Sequence, residues 1–380
     1  MRLSMYGAAS VCLTTLIAGS ARAQSAAAPP AADASSAAAP ATAPVRDVNP
    51  RRGLGPHDPY SPAVLPGKGL AQYDLLVFGE NDTHRMEQTI SVVRGGRVVW
   101  TYSIPRMDHG QGEEIGDAYM LPNGNIFFAR QHGASIVTPQ KKIVWNYDAP
   151  ADATPSSYFP KNAEIHAIEP AGEGRVMLVI NESPMSKLLI VNTKTNAVEK
   201  TVELPCAKAP VHLHFRRVQL TPTGTILAGH LDEGKVSEYD MTGKEIWSVE
   251  SSKPWFVRRL ANGNTLIGGD GPDGSYVHEV NKQKEIVWEF SQKDTAIGIF
   301  QLDEAMRLPN GNTLMANWSS HIPAQDWPQT VQEVEVTPDK RVVWALRSWD
   351  APNDLGPVSG VRLLEHSRRI ARLYPVTVNR

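Results

Sequence analysis

Short apolar runs alternate with turn-forming residues along most of the chain, and one such combination is repeated. Its clearest copy reads Leu308-Pro-Asn-Gly-Asn-Thr-Leu314, in which one apolar run stops at Pro-Asn-Gly-Asn and another begins. An Asn-Gly pair between apolar runs is the strongest short-range hairpin signal, because the central residues of a type I′ turn need positive φ. The pattern therefore predicts antiparallel hairpins with type I′ turns.

The same phrase recurs with a Trp-bearing run some distance after it. Leu121-Pro-Asn-Gly-Asn-Ile126 precedes Lys142-Ile-Val-Trp-Asn-Tyr147, and Leu260-Ala-Asn-Gly-Asn-Thr265 precedes Glu285-Ile-Val-Trp-Glu-Phe290. Each unit reads as four strands, here named a to d in chain order, with the tight turn between a and b and the Trp on d. A period of roughly 40 to 55 residues is typical of propeller blades and too long for leucine-rich repeats.

The two ends of the repeat region complete one another. Runs at 73–78, 89–93 and 97–102 supply strands b, c and d without an a strand, whereas 358–364 is an a-type run with nothing after it. Pairing them makes one whole blade and hides the sheet edges. The sequence thus predicts an all-β, six-bladed β-propeller closed by its N-terminal strands and a C-terminal innermost strand. Seven blades are the alternative, if residues before Tyr73 or after Leu346 form extra strands.

A tryptophan recurs at the same place on strand d. The five positions are Trp100, Trp145, Trp247, Trp288 and Trp344. They could stack on a ligand, but packing between neighbouring blades is favoured, because stacked sheets need one large side chain at each interface.

The first 69 residues lack the strand pattern. Arg2, the apolar run 11–18 and Ala21-Arg-Ala23 are typical of a signal peptide cleaved after Ala23, so we expect export to the periplasm or the medium. Residues 24–69 are rich in Ala, Pro and Ser and are interpreted as a disordered spacer ending in an irregular surface wrap. The domain prediction is therefore a leader at 1–23, the spacer at 24–69 and the propeller at 70–374.

Composition argues against several classes of partner. The formal net charge is −2, which provides no global field for nucleic acid. No apolar run after the leader is long enough to span a bilayer, so no membrane insertion is expected. Cys206 is the one cysteine after the leader, which predicts no internal disulfide and a half-buried thiol at a strand end. The oligomeric state is left open by the sequence.

Histidines concentrate in the loops of one predicted face, opposite the tight a-to-b turns. Of the eleven histidines, all but His57, His278 and His366 fall there. Those before strand a are His109, His166, His212 and His214, and those after strand b are His84, His132, His230 and His321. This segregation predicts a polar funnel over the axial channel.

Charged and aromatic residues join the histidines in the predicted pocket. Strand alternation along 211–217 places His212, His214 and Arg216 on one side and Arg217 on the other. The catalytic candidates are His212 and His214 as acid/base groups, with His166 and His132. The ligand-binding candidates are Arg216, Arg258, His230, His321, Trp318, Trp255, Glu114 and Asp303.

Other residues near the funnel have two interpretations each. Arg259, Arg307 and Arg362 either serve the pocket or bridge blades through hydrogen bonds. Tyr158, Phe159, Trp318 and Trp327 either stack on a ligand or fix long loops in place. No cofactor and no metal are predicted. A divalent ion on His212, His214 and His166 is the minor alternative, because His-x-His on a strand would bring two imidazoles together.

The iterated Leu-Pro-Asn-Gly-Asn and Ile-Val-Trp motifs resemble those of the quinoprotein-dehydrogenase-like propellers with PQQ-like repeats. Within that superfamily the chain looks closest to the arylsulfotransferase-like branch, over about residues 73–364. The resemblance implies an exported six-bladed propeller and is specific for fold more than for activity. A pyrroloquinoline quinone dehydrogenase is not favoured, since such enzymes are longer and commonly carry adjacent cysteines.

The resemblance also implies one chemistry. Sulfotransfer in that branch uses a histidine nucleophile with further His and Arg residues on the sulfuryl oxygens. Arg130, His132 and His166 lie where such residues could be, with Arg216 or Arg258 on the anion. The full set is not matched residue by residue, so sulfotransfer is an alternative.

Three functions follow as hypotheses. The first is an axial pocket that binds and processes a small polar ligand, either a carbohydrate or an anionic aryl compound. The second is a non-catalytic propeller that binds a protein or polysaccharide through rim residues such as Trp318 and Trp327. The third is an arylsulfotransferase-like enzyme.

Overall fold

The computed structural model describes residues 61–105, 114–150, 163–172, 174–206 and 210–364. The predicted leader, the spacer up to residue 60 and the end of the predicted propeller domain at 365–374 lie outside these ranges. So do five residues named above: His57, His109, Tyr158, Phe159 and His366.

Within the described ranges, the strands form six four-stranded antiparallel sheets. Blade 1 contains β1 (Leu75–Phe78), β2 (Glu87–Arg94) and β3 (Arg97–Pro105). Blade 2 contains β4 (Asp117–Met120), β5 (Ile126–Arg130), β6 (Gly133–Val137) and β7 (Ile143–Asp148). Blade 3 contains β8 (Glu164–Pro170), β9 (Arg175–Asn181), β10 (Met185–Asn192) and β11 (Val198–Pro205).

The other three blades repeat the arrangement. Blade 4 contains β12 (Phe215–Leu220), β13 (Ile226–His230), β14 (Lys235–Tyr239) and β15 (Glu245–Glu250). Blade 5 contains β16 (Pro254–Arg259), β17 (Thr265–Gly271), β18 (Gly274–Val280) and β19 (Ile286–Ser291). Blade 6 contains β20 (Leu302–Arg307), β21 (Thr313–Asn317), β22 (Glu333–Val336) and β23 (Val342–Leu346), and the last strand is β24 (Gly360–Leu363).

Ring closure follows the prediction. β24 pairs antiparallel with β1, with Leu76 opposite Arg362, so the order in blade 1 is β24-β1-β2-β3. The six-bladed propeller is therefore confirmed. Residues 347–364 contribute only β24, and 61–74 contribute a 3₁₀ helix, Gly69–Gln72, so the described residues form no seventh blade. In this part of the chain, no helix has the length and apolar character needed to cross a bilayer.

The core consists of six apolar clusters, one at each interface between neighbouring blades. β1 shows why its sequence is a continuous apolar run. Leu75 and Val77 pack toward blade 6, while Leu76 and Phe78 pack toward blade 2. Successive side chains of a strand point to opposite faces, and both faces of a blade are covered, so both sets are buried.

The tight a-to-b turns differ from the predicted type I′. Gly124 N donates to Leu121 O at 2.9 Å and Leu121 N donates to Asn125 O at 2.8 Å. Only Gly124 of the central residues has positive φ, at 82°, and the turns ending at Gly224, Gly263 and Gly311 repeat the pattern. Each is a type I turn followed by a left-handed glycine, and the type I′ prediction was wrong. The proline before Asn in most copies holds φ negative, which excludes type I′.

The strand-d tryptophans join neighbouring blades, as predicted. Trp288 Nε1 donates to Pro338 O in blade 6 at 2.9 Å, and Trp100 Nε1 donates to Pro139 O in blade 2 at 2.8 Å. Trp344 Nε1 donates to Gly69 O at 2.9 Å, and Ala345 N donates to Pro66 O at 3.2 Å. The described part of the N-terminal wrap therefore covers the outer strand of blade 6. Cys206 follows β11 and is half-buried, as expected.

Candidate functional site

The innermost strands of the six blades surround the axis, each in contact with the next. Four of them contain a β-bulge near their first residues. The extra residue is His166 in β8, Trp255 in β16 and Asp303 in β20, while in β12 the register shifts between Phe215 and Val218. A bulge inserts an unpaired residue and changes the direction of its side chain. This repeated irregularity supplies the axial mouth with side chains.

The centre of the mouth is a network of two imidazoles between a carboxylate and a guanidinium. Glu164 Oε2 lies 2.7 Å from His166 Nε2 and 2.9 Å from His212 Nδ1. On the other side, Arg216 NH1 lies 2.7 Å from His166 Nδ1 and 3.2 Å from its Nε2, and Arg216 NH2 lies 2.9 Å from His212 Nε2. Glu164 accepts from His166 Nε2 and His212 Nδ1, so the other nitrogen of each ring lies on the side of Arg216.

The pKa shifts agree with that assignment. Burial by itself would raise the pKa of Glu164, but the hydrogen bonds from His166 and His212 lower it overall. Burial, and then the Arg216 charge, lower the pKa of His166 to about 4. Glu164 is consequently ionised and His166 neutral near pH 7. Gln131 Nε2 donates to the other oxygen, Glu164 Oε1, at 3.1 Å and fixes the carboxylate plane.

Further carboxyl groups surround Arg216. Glu114 Oε2 lies 3.5 Å from Arg216 NH1, and the Arg216 charge lowers the pKa of Glu114 against the opposing effect of burial. Burial raises the pKa of Asp303 to about 7. Burial and the Glu114 charge raise the pKa of Glu80 well above its ordinary value.

An aromatic ring also borders the mouth, since the guanidinium carbon of Arg216 lies 5.6 Å from the ring centre of Trp255. Together with Glu164 and His166, every blade thus contributes to the mouth.

A second charged layer fills the axis beneath the mouth. Arg362 bonds Asp117 at 2.7 Å and also pairs with Glu304, while Arg258 bonds Glu304 at 2.8 Å. Arg217 donates to Gly116 O and lines a small cavity with Asp117, Glu169, Arg258 and Glu304. Burial raises the pKa of Asp117 to about 6 and that of Glu169 to about 7. Arg258, a predicted ligand-binding residue, belongs to this deeper layer.

The alternation predicted along 211–217 does not hold. Val211–Leu213 forms a 3₁₀ helix before β12, which brings His212 beside Arg216 but turns His214 toward Ser186 Oγ, 3.3 Å away. Because of the bulge, Arg216 and Arg217 both face the axis, Arg216 at the mouth and Arg217 below it. The prediction that His214 shares a side with His212, and that Arg217 faces away, was therefore wrong.

Three other predicted site residues, and the loop residue Trp327, are buried and have partners elsewhere. His132 Nδ1 is 3.4 Å from Ala163 O, and His230 Nε2 is 2.8 Å from the Tyr239 hydroxyl. Trp318 is buried, donates to Glu80 O at 3.0 Å and packs against His321 at a centroid distance of 4.4 Å. Trp327 is also buried and stacks on Trp349. These two tryptophans fix the long loop of blade 6 in place.

The contacts of Arg259, Arg307 and Arg362 decide between the two interpretations given above. Arg259 pairs with Glu238 of blade 4, and Arg307 pairs with Glu279 of blade 5. Both bridge blades. Arg362 bridges blades 1, 2 and 6 in the deeper layer.

The sequence reasoning missed Glu164, Glu80 and Gln131. Two of them stand next to a position that it did consider: Glu164 two residues before His166, and Gln131 immediately before His132. A carboxylate two residues from a histidine on a strand was a usable signal, because such residues share a face.

Comparison with known proteins supports the fold. No protein-family model and no curated protein matches the chain. A protein of unknown function from Bacteroides caccae is 22% identical, covering 76% of this chain and 98% of its own, with a TM-score of 0.63.

Other solved structures are less similar. An inactive variant of virginiamycin B lyase from Staphylococcus aureus, bound to quinupristin, is 10% identical, covering 74% of this chain and 88% of its own, with a TM-score of 0.46. BamB from Moraxella catarrhalis is 14% identical, covering 61% and 67%, with a TM-score of 0.39. The six four-stranded sheets make the chain a six-bladed β-propeller, and its function has to be argued from its own axial mouth.

Proposed function

We propose that this propeller binds a small polar ligand at its axial mouth and processes it there, with Arg216 neutralising negative charge on the ligand. The reactive atoms are the imidazole nitrogens His166 Nδ1 and His212 Nε2, which point toward Arg216. One observation carries the proposal: two imidazoles held between one carboxylate and one guanidinium, 2.7 to 2.9 Å from each.

The orientation of the rings supports a reactive role. Glu164 accepts from one nitrogen of each ring, so the other nitrogen of each ring lies on the side of Arg216. Carboxylate–imidazole pairs of this kind set the tautomer of an acid/base or nucleophilic histidine. A ligand that moved the Arg216 guanidinium away from the rings would contact both imidazoles. The displaced guanidinium would remain close enough to bind the negative charge of the same ligand.

The site is also reachable. The side chains of Arg216, Glu114 and His212 are 11%, 18% and 19% exposed, whereas His166 and Glu164 are fully buried. Beneath them the Arg362–Glu304–Arg258 layer occupies the axis. These exposures support a partly accessible polar site with Trp255 beside it. This combination fits a ring-bearing ligand with oxygen substituents, either a carbohydrate or an anionic aryl compound.

Binding can be tested by isothermal titration of the full chain with a panel of monosaccharides, disaccharides, aryl carboxylates and aryl sulfates. For a ligand that binds, Arg216→Ala should weaken affinity by at least about tenfold, the loss of one charge-assisted hydrogen bond. Arg341→Ala is the matched control, because Arg341 is exposed and pairs only locally with Asp339.

Two results would contradict the proposal. One is that no member of the panel binds at millimolar concentration. The other is equal affinity in the native chain and in Arg216→Ala. Aryl sulfate consumption with a phenol acceptor, lost in His212→Ala, would instead identify the arylsulfotransferase-like reaction as the process at this site.

A further inference from the structure

We propose that His166, His212 and Glu114 form a binding site for a divalent transition-metal ion, of which zinc is the best match. One imidazole nitrogen from each histidine and one carboxylate oxygen of Glu114 lie within 4.8 Å of one another. Two imidazoles and a carboxylate are a common catalytic zinc set, with ligand bonds of about 2.0–2.2 Å and an open fourth position. Small side-chain rotations would bring all three donors onto one ion.

The second coordination shell is already in place. Metal-binding imidazoles typically donate their other N–H to a carboxylate, which fixes the ring and strengthens the ligand. Here Glu164 Oε2 receives such a bond from both rings, at 2.7 and 2.9 Å, and Gln131 in turn holds Glu164 Oε1. A single buried carboxylate oxygen therefore orients both lone pairs toward the third donor.

Glu114 points to a missing cation. Its Oε2 atom is buried and has no hydrogen-bond partner among the described residues, and Arg216 NH1 lies 3.5 Å from it. A divalent ion beside this atom would supply the paired charge that a buried carboxylate needs.

Arg216 occupies the position that the ion would take. Its guanidinium contacts the same two lone pairs, at 2.7 and 2.9 Å, so arginine and metal compete for them. Asp303 and Glu80 also lie near Arg216, whose charge acts on both carboxyl groups. Metal binding thus requires Arg216 to turn from the imidazoles toward these carboxyl groups.

This inference rests on the proposed function and deepens it. With the metal in place, a ligand oxygen would take the open position on the ion while Arg216 holds a second polar group of the same ligand. The His214-containing set, considered above as a minor alternative, is not the one that the structure assembles, because His214 faces Ser186.

The test is calorimetric titration of the full, EDTA-treated chain with ZnCl₂ and, separately, MgCl₂. Zinc should bind at one site, and magnesium should bind far more weakly because imidazole is a poor ligand for it. His212→Ala and Glu114→Gln should each weaken zinc binding by more than about 100-fold, since loss of a second-shell partner alone costs about 10–100-fold. His214→Ala is the matched control and should bind zinc as the native chain does.

Arg216→Ala gives the decisive readout, because it separates this inference from the proposed function. It should bind zinc more tightly, having lost the competing guanidinium, although it binds the organic ligand less well. Far-ultraviolet circular dichroism and thermal unfolding of each variant check that the propeller is intact. Zinc binding that is unchanged in folded His212→Ala and Glu114→Gln, or weakened in Arg216→Ala, would overturn the metal site. Loss of the organic ligand in Arg216→Ala without any zinc binding would overturn the metal site and leave the proposed function standing.

Discussion

Single residues at the bulges determine which charges reach the mouth. Asp303 is the extra residue of the β20 bulge, and its carboxyl accepts a hydrogen bond from Gln301 Nε2 at 2.6 Å. The next residue, Glu304, belongs to the deeper layer with Arg258 and Arg362. Two adjacent acids thus serve different layers, and their pKa values move in opposite directions. Burial raises that of Asp303, while Arg362 and Arg258 lower that of Glu304 against the same effect of burial.

The raised pKa of Asp303 has a consequence for stability. The value of about 7 is above the ordinary 3.8, so the folded protein keeps this proton over a pH range in which the unfolded chain has lost it. The stabilisation is complete below about pH 4 and disappears as pH rises through 7. Asp303→Asn should remove this dependence, reducing the fall in unfolding free energy between pH 5 and 7.5 by about 1–3 kcal/mol.

Urea unfolding of both proteins at the two pH values measures the effect. Asp273→Asn is the control, because Asp273 is exposed, pairs with Lys293 and has a lowered pKa, so it does not titrate in this window. An identical fall in stability for Asp303→Asn and the native chain would show that this carboxyl is ionised throughout.

At the scale of elements, the blades are joined by a repeated latch of arginine, glutamate and tryptophan. Arg307 at the end of β20 bonds Glu279 of β18 at 2.7 Å and lies 5.0 Å from the Trp288 ring centre. Arg259 repeats the arrangement one interface earlier, with Glu238 and with Trp247 at 5.6 Å. The arginine covers the tryptophan face while neutralising a largely buried acid, so both contacts favour one spacing of the sheets.

A double-mutant cycle on this latch should reveal the coupling. Arg307→Met and Glu279→Gln are each expected to destabilise the protein, with a coupling energy of about 1–2 kcal/mol from denaturant unfolding, because the pair is mostly buried. The exposed pair Lys293–Asp273 is the control and should show no measurable coupling. Additive effects at Arg307 and Glu279 would mean that solvent screens this pair as it does the exposed one.

For the whole molecule, stability depends on closing the ring. β24 covers the free edge of β1, and its residue Arg362 carries the buried bonds to Asp117 and Glu304. β24 also packs against blade 6 through Val361. One short strand therefore connects the first and last blades by backbone pairing, apolar contact and buried charge.

A chain that ends at Asp354 should consequently lose most of its stability. The free edge of β1 and the loss of the Arg362 charge beside two buried carboxyl groups should lower the unfolding free energy by more than about 5 kcal/mol, a large part of the total for a typical protein. Thermal unfolding followed by circular dichroism is the measurement. A synthetic peptide of residues 356–364, added in trans, should restore much of the transition. A truncated chain that unfolds at the native temperature would show that closure contributes little.

The amino-acid sequence by itself determined the architecture of this protein. Apolar runs of strand length, the Pro-Asn-Gly-Asn turns and one tryptophan per unit are local signals, and each is repeated, so the six blades, their order and the closing pair could be predicted. It also placed His166, His212, Arg216, Trp255, Glu114 and Asp303 on the correct face, because loop position follows from strand order.

Only the tertiary structure decided which of those residues meet. Strand alternation assumes an unbroken ladder, and the 3₁₀ helix at Val211–Leu213 and the bulge in β12 both break it, which separates His214 from His212 and turns Arg217 toward the axis. The pairing of Glu164 with two imidazoles joins blades 3 and 4 across 48 residues of chain. No local pattern encodes such a contact, because it depends on where two separate sheets stand around a common axis.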